Sequence, residues 1–179
     1  GFIDGADQWR IGKNSFPRGN YGIYANLSYK GFSANILFQG ATSRDMYIED
    51  VVRGQSTGGY SVVYPYQLDY WMPDNRDALY PRIAMNSNVN GNNNYVQSDF
   101  WLVNGRYIRL KSLQVGYDFR TVLLKNVKWL YKCQVMLSGQ NLFTISPATK
   151  YGFDPENGST NNYDYPMQRV YSISLNLGF

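Results

Sequence analysis

The residues best suited to bind something lie outside the regular parts of this 179-residue chain. Between residues 60 and 101 it carries Tyr60, Tyr64, Tyr66, Tyr70, Trp71, Tyr80 and Trp101. Exposed rings of this kind stack on sugars or pack against a partner protein, and they equally well pack a loop against itself. Trp71, in Asp69-Tyr-Trp-Met-Pro-Asp74, is the leading candidate for a substrate or partner contact, together with Tyr70 and Trp101. The stretch from Asn86 to Asn94 holds six Asn and one Gly and reads as a solvated loop tip. Asp4 and Asp7 resemble the tail of an acidic calcium loop. Calcium takes six or more oxygens, though, and no upstream ligands accompany them. Asp154 and Glu156 could ligate a cation, but a turn around Pro155 is the simpler account. No metal site is expected.

Reactive chemistry is poorly supplied. There is no histidine, which removes His-based triads, most zinc sites and the commonest general base. Cys133 is the sole cysteine, so no internal disulfide is available. It falls on the apolar parity of a strand, with no charged neighbour to activate its thiol. No carboxylate spacing marks an acid–base pair, and no nucleophile motif or phosphate loop is present. The sequence therefore points away from an enzyme and calls for no cofactor.

No apolar run reaches the ~18 residues of a membrane-spanning helix. A β-barrel remains open, because its strands alternate and look only weakly hydrophobic. The chain has 17 Tyr, 4 Trp and 9 Phe, with only 17% charged residues. That suits a sheet lying at membrane interfaces, and suits equally a soluble all-β domain with an aromatic core or a sugar-binding face. The net charge of +4 is scattered and forms no basic block of the kind that binds nucleic acid.

Five segments alternate with period two, as strands with two unlike faces do. Their expected bounds are 20–29, 31–39, 107–119, 132–143 and 170–179. In the first, Tyr21, Ile23, Ala25, Leu27 and Tyr29 share one parity; in the second, Phe32, Ala34, Ile36 and Phe38 do. Lys30-Gly31 between them is a hairpin-sized turn. In the third, Leu113, Val115, Tyr117 and Phe119 set the apolar parity, and Arg109 and Lys111 fall on that same parity. Charges there are tolerable only near or beyond the headgroups. The fourth shows Cys133, Val135 and Leu137 on one side, with Met136 and Leu142 blurring the pattern. The fifth shows Tyr171, Ile173, Leu175, Leu177 and Phe179.

Short and long connections alternate. Turns at 30–31 and 120–131 contrast with expected loops at 1–18, 41–105 and 144–169. An up-and-down barrel with short periplasmic turns and long extracellular loops has this layout. The C-terminus is then periplasmic, the apolar parity faces lipid, and Asn26, Asn35, Gln39, Gln114, Gln134, Gln140 and Asn176 face the interior.

Particular stretches also resemble a family. Ser98-Asp-Phe-Trp-Leu-Val-Asn-Gly-Arg-Tyr-Ile-Arg-Leu-Lys-Ser-Leu-Gln-Val-Gly-Tyr117 is similar to a strand near the end of the SusC/RagA-type TonB-dependent transporters of Bacteroidetes. So are Leu137-Ser-Gly-Gln-Asn-Leu-Phe143, Gly152-Phe-Asp-Pro-Glu156, Tyr165-Pro-Met-Gln-Arg169 and Ser174-Leu-Asn-Leu-Gly-Phe179. Tyr29-Lys-Gly-Phe32, Phe38-Gln-Gly40 and Tyr80-Pro-Arg82 extend the match in order along nearly the whole chain. The resemblance implies an all-β, transmembrane, antiparallel up-and-down barrel segment, the last five or so of 22 strands. It implies import of oligosaccharides or peptides across the bacterial outer membrane, driven through TonB. A SusD-like surface lipoprotein would act as lid, and membrane lipid and lipopolysaccharide would surround the barrel. Plug and TonB box would lie in an N-terminal part upstream of Gly1. Tyr171, Ile173, Leu175, Leu177 and Phe179 would form the signal read by the barrel-assembly machinery.

Two other readings stay open on sequence: a soluble or surface-attached carbohydrate-binding β-sandwich, and a passive outer-membrane pore. A sandwich requires Leu113, Val115, Ile173 and Leu175 to pack against a second sheet.

Overall fold

The computed structural model describes residues 5–11, 14–49, 64–83, 93–157, 165 and 167–179. The expected roles of Asp4, Tyr60 and the 86–92 part of the Asn-rich run lie outside the described residues. The chain divides into two compact units, one of Gly1–Arg18, Ser43–Arg106 and Pro147–Tyr165, the other of Gly19–Thr42, Tyr107–Ser146 and Pro166–Phe179.

The second unit is a five-stranded antiparallel sheet. Its strands are β1 (Asn20–Tyr29), β2 (Phe32–Ala41), β5 (Tyr107–Asp118), β6 (Lys132–Ile145) and β7 (Val170–Gly178), in the spatial order β1-β2-β5-β6-β7. Two short strands intervene in sequence, β3 (Asp45–Tyr47) and β4 (Leu102–Asn104), and they pair in the other unit. Consecutive sheet strands are neighbours throughout, so the sheet is an up-and-down meander. It is open, with β1 and β7 as its edges.

The strand limits have local causes. Lys30 and Gly31 both take positive φ, 44° and 82°, as a two-residue type I′ hairpin turn requires. Strand β2 therefore begins at Phe32 rather than at Gly31. Strand β5 stops at Asp118 rather than at Phe119. The Asp118 carboxylate accepts from Arg120 N at 2.9 Å and caps the single helical turn α1 (Phe119–Val122).

The pairing corrects the expectation for Arg109 and Lys111. Between β2 and β5 the register shifts at Leu37/Phe38, and between β5 and β6 it shifts at Leu110/Ser112. Lys111 is skipped in both ladders and is the bulge residue. Cross-strand partners share a face. Below the bulge, Ile36↔Leu113↔Gly139 and Ala34↔Val115↔Leu137↔Ile173 form apolar rows. Above it, the rows are Phe38↔Leu110↔Phe143 and Gly40↔Ile108↔Ile145. The apolar parity of β5 thus changes from odd to even at Lys111, and one uninterrupted apolar face results. The rings of Phe38 and Phe143 meet edge-on across it at 6.2 Å. Arg109 falls on the opposite face, paired with Gln39 and Thr144. Its Nε donates to Thr144 Oγ1 at 2.7 Å, its guanidinium lies 5.8 Å from the centre of the Tyr107 ring, and it is buried.

The remaining polar face is built from Asn26, Asn35, Gln114, Ser138 and Ser172, which form one row. Asn26 Nδ2 donates to Asn35 Oδ1 and Tyr24 Oη to the same oxygen at 3.2 Å. On the apolar side Ile173 and Leu175 are 75% and 61% exposed. Among the described residues no second sheet covers them in the way the sandwich reading requires.

Candidate functional site

The unit that holds the long connections has a core of its own. Met46, Ile48, Tyr80, Trp101, Val103, Ala148 and Phe153 are buried together, with Tyr47, Tyr66, Tyr70, Leu79 and Tyr151 packed against them. These residues come from two stretches more than forty residues apart in sequence. Arg44 ties them to the N-terminal segment: Nε donates to Ser15 O at 3.2 Å, Nη2 to Asn157 O at 2.7 Å, and Nη1 to Pro155 O. Backbone bonds of β3–β4, and of Ile48 N to Trp101 O at 2.9 Å, satisfy polar groups that burial would otherwise leave open.

The Asp69–Asp74 segment is shaped by its own carboxylate. Asp69 Oδ1 accepts from Asn75 Nδ2 at 2.9 Å, and Tyr80 N donates to Asp69 O at 3.0 Å. Met72 and Asn75 exchange backbone bonds around Pro73-Asp74, with proline in the turn position its fixed φ favours. Trp71 N donates to Tyr80 O at 2.9 Å. The turn holds Trp71 at the mouth of a cavity of about 590 Å³, where it is 41% exposed. Arg76, Arg82, Asn93, Ser98, Phe100 and Trp101 also line this cavity. Phe100 is exposed and meets Trp101 edge-on at 4.9 Å. The site thus offers aromatic faces, two guanidiniums and side-chain amides: apolar surface for rings, with polar groups to orient a ligand.

The three expected contact residues part company. Trp71 stands at the surface, in the cavity wall. Tyr70 is half-buried against the core. Trp101 is only 1% exposed, and its Nε1 donates to Asn94 O at 3.1 Å. It is a core residue that also lines the cavity. Tyr80 is likewise buried, its hydroxyl donating to Tyr151 O at 3.3 Å. Burial pushes the Tyr66 phenol up to about 12, with neighbouring Tyr64 adding to the shift. Burial, then Tyr66 and Tyr151, push Tyr80 up further. These phenols stay neutral and act as packing groups. Arg76, Arg82 and Phe100 were not among the expected contacts. Two arginines within a dozen residues of Trp71 were the available signal.

The Asp154–Glu156 pair forms the turn. Asp154 Oδ1 accepts from Glu156 N at 2.9 Å, and Asn157 N donates to Asp154 O at 3.1 Å, around a fully buried Pro155. Tyr171, Ile173, Leu175 and Leu177 share one exposed face of β7, and Phe179 follows on the same parity.

No profile of a known protein family matches the chain. The TonB-dependent receptor P3 of Formosa agariphila is 27% identical over 190 residues, covering 100% of this chain and 18% of the receptor. Receptor P39 of the same organism is 26% identical over 99% of the chain and 18% of its own length. Among solved structures, that of the RagAB peptide transporter matches with a TM-score of 0.66 and 22% identity, over 99% of this chain and 19% of that one. The RagAB peptide importer in its open-open state gives 0.64 at 24% identity, over 95% and 18%. The chain therefore spans less than a fifth of the length of these relatives. Within that span it is similar, in sequence and in fold, to a segment of the TonB-dependent receptors of the SusC/RagA type.

Proposed function

We propose that the five-stranded sheet is the C-terminal part of the barrel wall of an active outer-membrane importer of oligosaccharides or peptides. One observation carries the reading. A bulge keeps the apolar face continuous across all five strands, and that face is left open where a soluble protein would cover it. In a bilayer it meets hydrocarbon. The row Asn26–Asn35–Gln114–Ser138–Ser172 meets water or a plug inside. Both sheet edges then pair with further strands of the same barrel, because lipid offers no hydrogen bonds. The similarity to TonB-dependent receptors and to the RagAB peptide transporter supports energisation through TonB, a SusD-like lipoprotein as lid, and a periplasmic C-terminus. The loop unit, with Trp71, Arg76 and Arg82 at its cavity, supplies substrate or lid contacts. Strand β7 with Phe179 serves the barrel-assembly machinery.

The test uses the full-length protein in detergent. An unboiled sample migrates faster on a denaturing gel than a boiled one. Identical migration refutes the barrel. Uptake of the nutrient that is lost when TonB is deleted separates active import from a passive pore, and uptake that persists refutes the energised mechanism.

A further inference from the structure

The two short turns meet at one end of the sheet and carry a surface that wall-building alone does not require. Asp118 N donates to Gly31 O at 2.7 Å, and a Cβ on Gly31 would lie 3.0 Å from Val122 Cγ2, so the β1–β2 turn sits against α1. The longer turn is internally tied. Arg120 donates from Nε to Leu130 O at 2.7 Å and from Nη1 to Leu124 O at 3.0 Å. Tyr131 N donates to Gly178 O at 2.9 Å, and the Tyr131 ring lies over Gly178, 2.6 Å from where a Cβ would sit. Trp129 stacks on Phe179 with centroids 5.6 Å apart and planes 1° from parallel. Trp129, Tyr131, Phe179, Tyr29 and Leu123 are nonetheless exposed.

The charge at this end is one-sided. Residues 119–132 contain Arg120, Lys125, Lys128 and Lys132 and no carboxylate, and Lys30 lies in the adjoining turn. The neighbouring acid, Asp118, is engaged as the α1 cap, accepting from Arg120 N and from Thr121 Oγ1 at 2.9 Å. Arg120 is committed to carbonyls. Lys132 opens β6 opposite Gly178, on the polar parity. That leaves Lys30, Lys125 and Lys128, all exposed, in the two turns that adjoin Tyr29, Trp129 and Tyr131 in sequence. Lys30 Nζ lies 5.3 Å from the centre of the Tyr29 ring.

Aromatic rings at a polar–apolar boundary with ammonium groups just beyond it match an anionic lipid: acyl chains on the sheet, phosphate at the lysines. An acidic protein would match the charge and could pack on the rings, but it would not account for their place at the end of a face that the barrel reading puts in hydrocarbon. We propose that the paired turns form a binding site for the headgroup of an anionic glycerophospholipid, with Lys30, Lys125 and Lys128 on the phosphate and Trp129, Tyr131 and Phe179 at the glycerol level. This rests on the membrane-barrel reading.

Native mass spectrometry of the full-length, delipidated protein tests it, with phosphatidylglycerol and phosphatidylcholine of identical chains as probes. The wild type should retain phosphatidylglycerol in preference to phosphatidylcholine by at least about tenfold. Lys30→Asn with Lys125→Ser and Lys128→Ser should abolish that preference; Asn is chosen for its tolerance of positive φ. Lys125→Arg with Lys128→Arg should keep it. Equal retention of the two lipids by the wild type overturns the site, and so does a preference that survives the triple substitution. Polyglutamate outcompeting phosphatidylglycerol overturns it in favour of a protein-binding turn. Gel migration of each unboiled sample separates the two levels of failure. A shifted band without lipid preference sinks only the lipid site, whereas no shift in the wild type sinks the barrel and the site with it.

Discussion

Leu137 and Ser138 are adjacent in β6 and point to opposite faces, so arginine at each reads the two environments at the same depth. Leu137 lies in the row with Ala34, Val115 and Ile173, is 54% exposed, and sits two rows in from the Phe38–Phe143 contact. Ser138 lies in the row with Asn35, Gln114 and Ser172. The apolar face of β5 from Ile108 to Tyr117 runs for about 30 Å at strand rise. Tilted as barrel strands are, that gives a height of about 23 Å, close to the ~25 Å apolar band of outer-membrane barrels. Leu137 therefore falls inside the hydrocarbon, and Leu137→Arg should cost about 2–4 kcal/mol. That is roughly a 30- to 900-fold change in the folding equilibrium. Ser138→Arg, facing a wet interior, should cost less than about 0.5 kcal/mol. The assay is urea unfolding of the full-length protein in lipid vesicles, followed by the loss of the fast-migrating unboiled band. If the exposed face met water, arginine at Leu137 would be as harmless as at Ser138. Equal costs, or a larger cost at Ser138, refute the assignment of the faces.

Deleting Lys111 places Leu110 directly before Ser112, and regular alternation then keeps Leu110 and Leu113 on the apolar face and Arg109 on the polar one, so the unboiled band should survive. Lys111→Ala should preserve it too, because the bulge needs the residue and not the charge. Trp101→Ala should destabilise the loop unit by about 3–5 kcal/mol, read as faster proteolysis of the loops with the barrel band intact. Trp71→Ala should leave that proteolysis unchanged and weaken nutrient uptake, and unchanged uptake would remove Trp71 from the binding surface. The loop core should also loosen in alkali. Unfolded tyrosines ionise near 10.0 while Tyr66 holds its proton to about 12. The stability from burying the neutral phenol is therefore full below pH 10 and is lost as pH rises toward 12. Tyrosinate absorbance should show a late phase in that window, and Tyr66→Phe should remove part of it.

The strands were legible because period two survives in any sheet with unlike faces. Lys30-Gly31 also announced its turn, whereas the Asp118 cap lay inside a stretch that alternates on to Phe119 and so gave no sign of the strand's end. The loop core was not legible. Tyr80, Trp101 and Phe153 are buried because segments distant in sequence converge on one point, and no local period records convergence. The same composition that buries Trp101 leaves Trp71 exposed. What separates them is the Asp69 carboxylate holding a turn, a geometric fact about one side chain rather than a property of the stretch. Isolated cations carry no period, and only nearness in sequence to Trp71 ties Arg76 and Arg82 to its cavity.

The bulge is the more instructive case, because its signal was present. Ile108 and Leu110 are apolar on even positions, and Leu113, Val115 and Tyr117 on odd ones. Read with strict alternation, this puts Arg109 and Lys111 among the greasy residues and forces that end of the strand out of the bilayer. Read as a parity change, it says that one residue is extra and that both halves lie in the same apolar face. The energies favour the second account. An arginine on the lipid side costs about 2–4 kcal/mol at depth, whereas on the polar side Arg109 donates to Thr144 and lies beside the Tyr107 ring. The shift recurs at the same level in the next strand, where Asn141 takes a φ of 52° and two residues of β6 pass one step of β5. Bulges bend and coil a sheet, and a closing barrel needs both. Two neighbouring strands that each gain a residue at one level therefore serve curvature as well as the continuity of the apolar face. A flat soluble sheet would need neither.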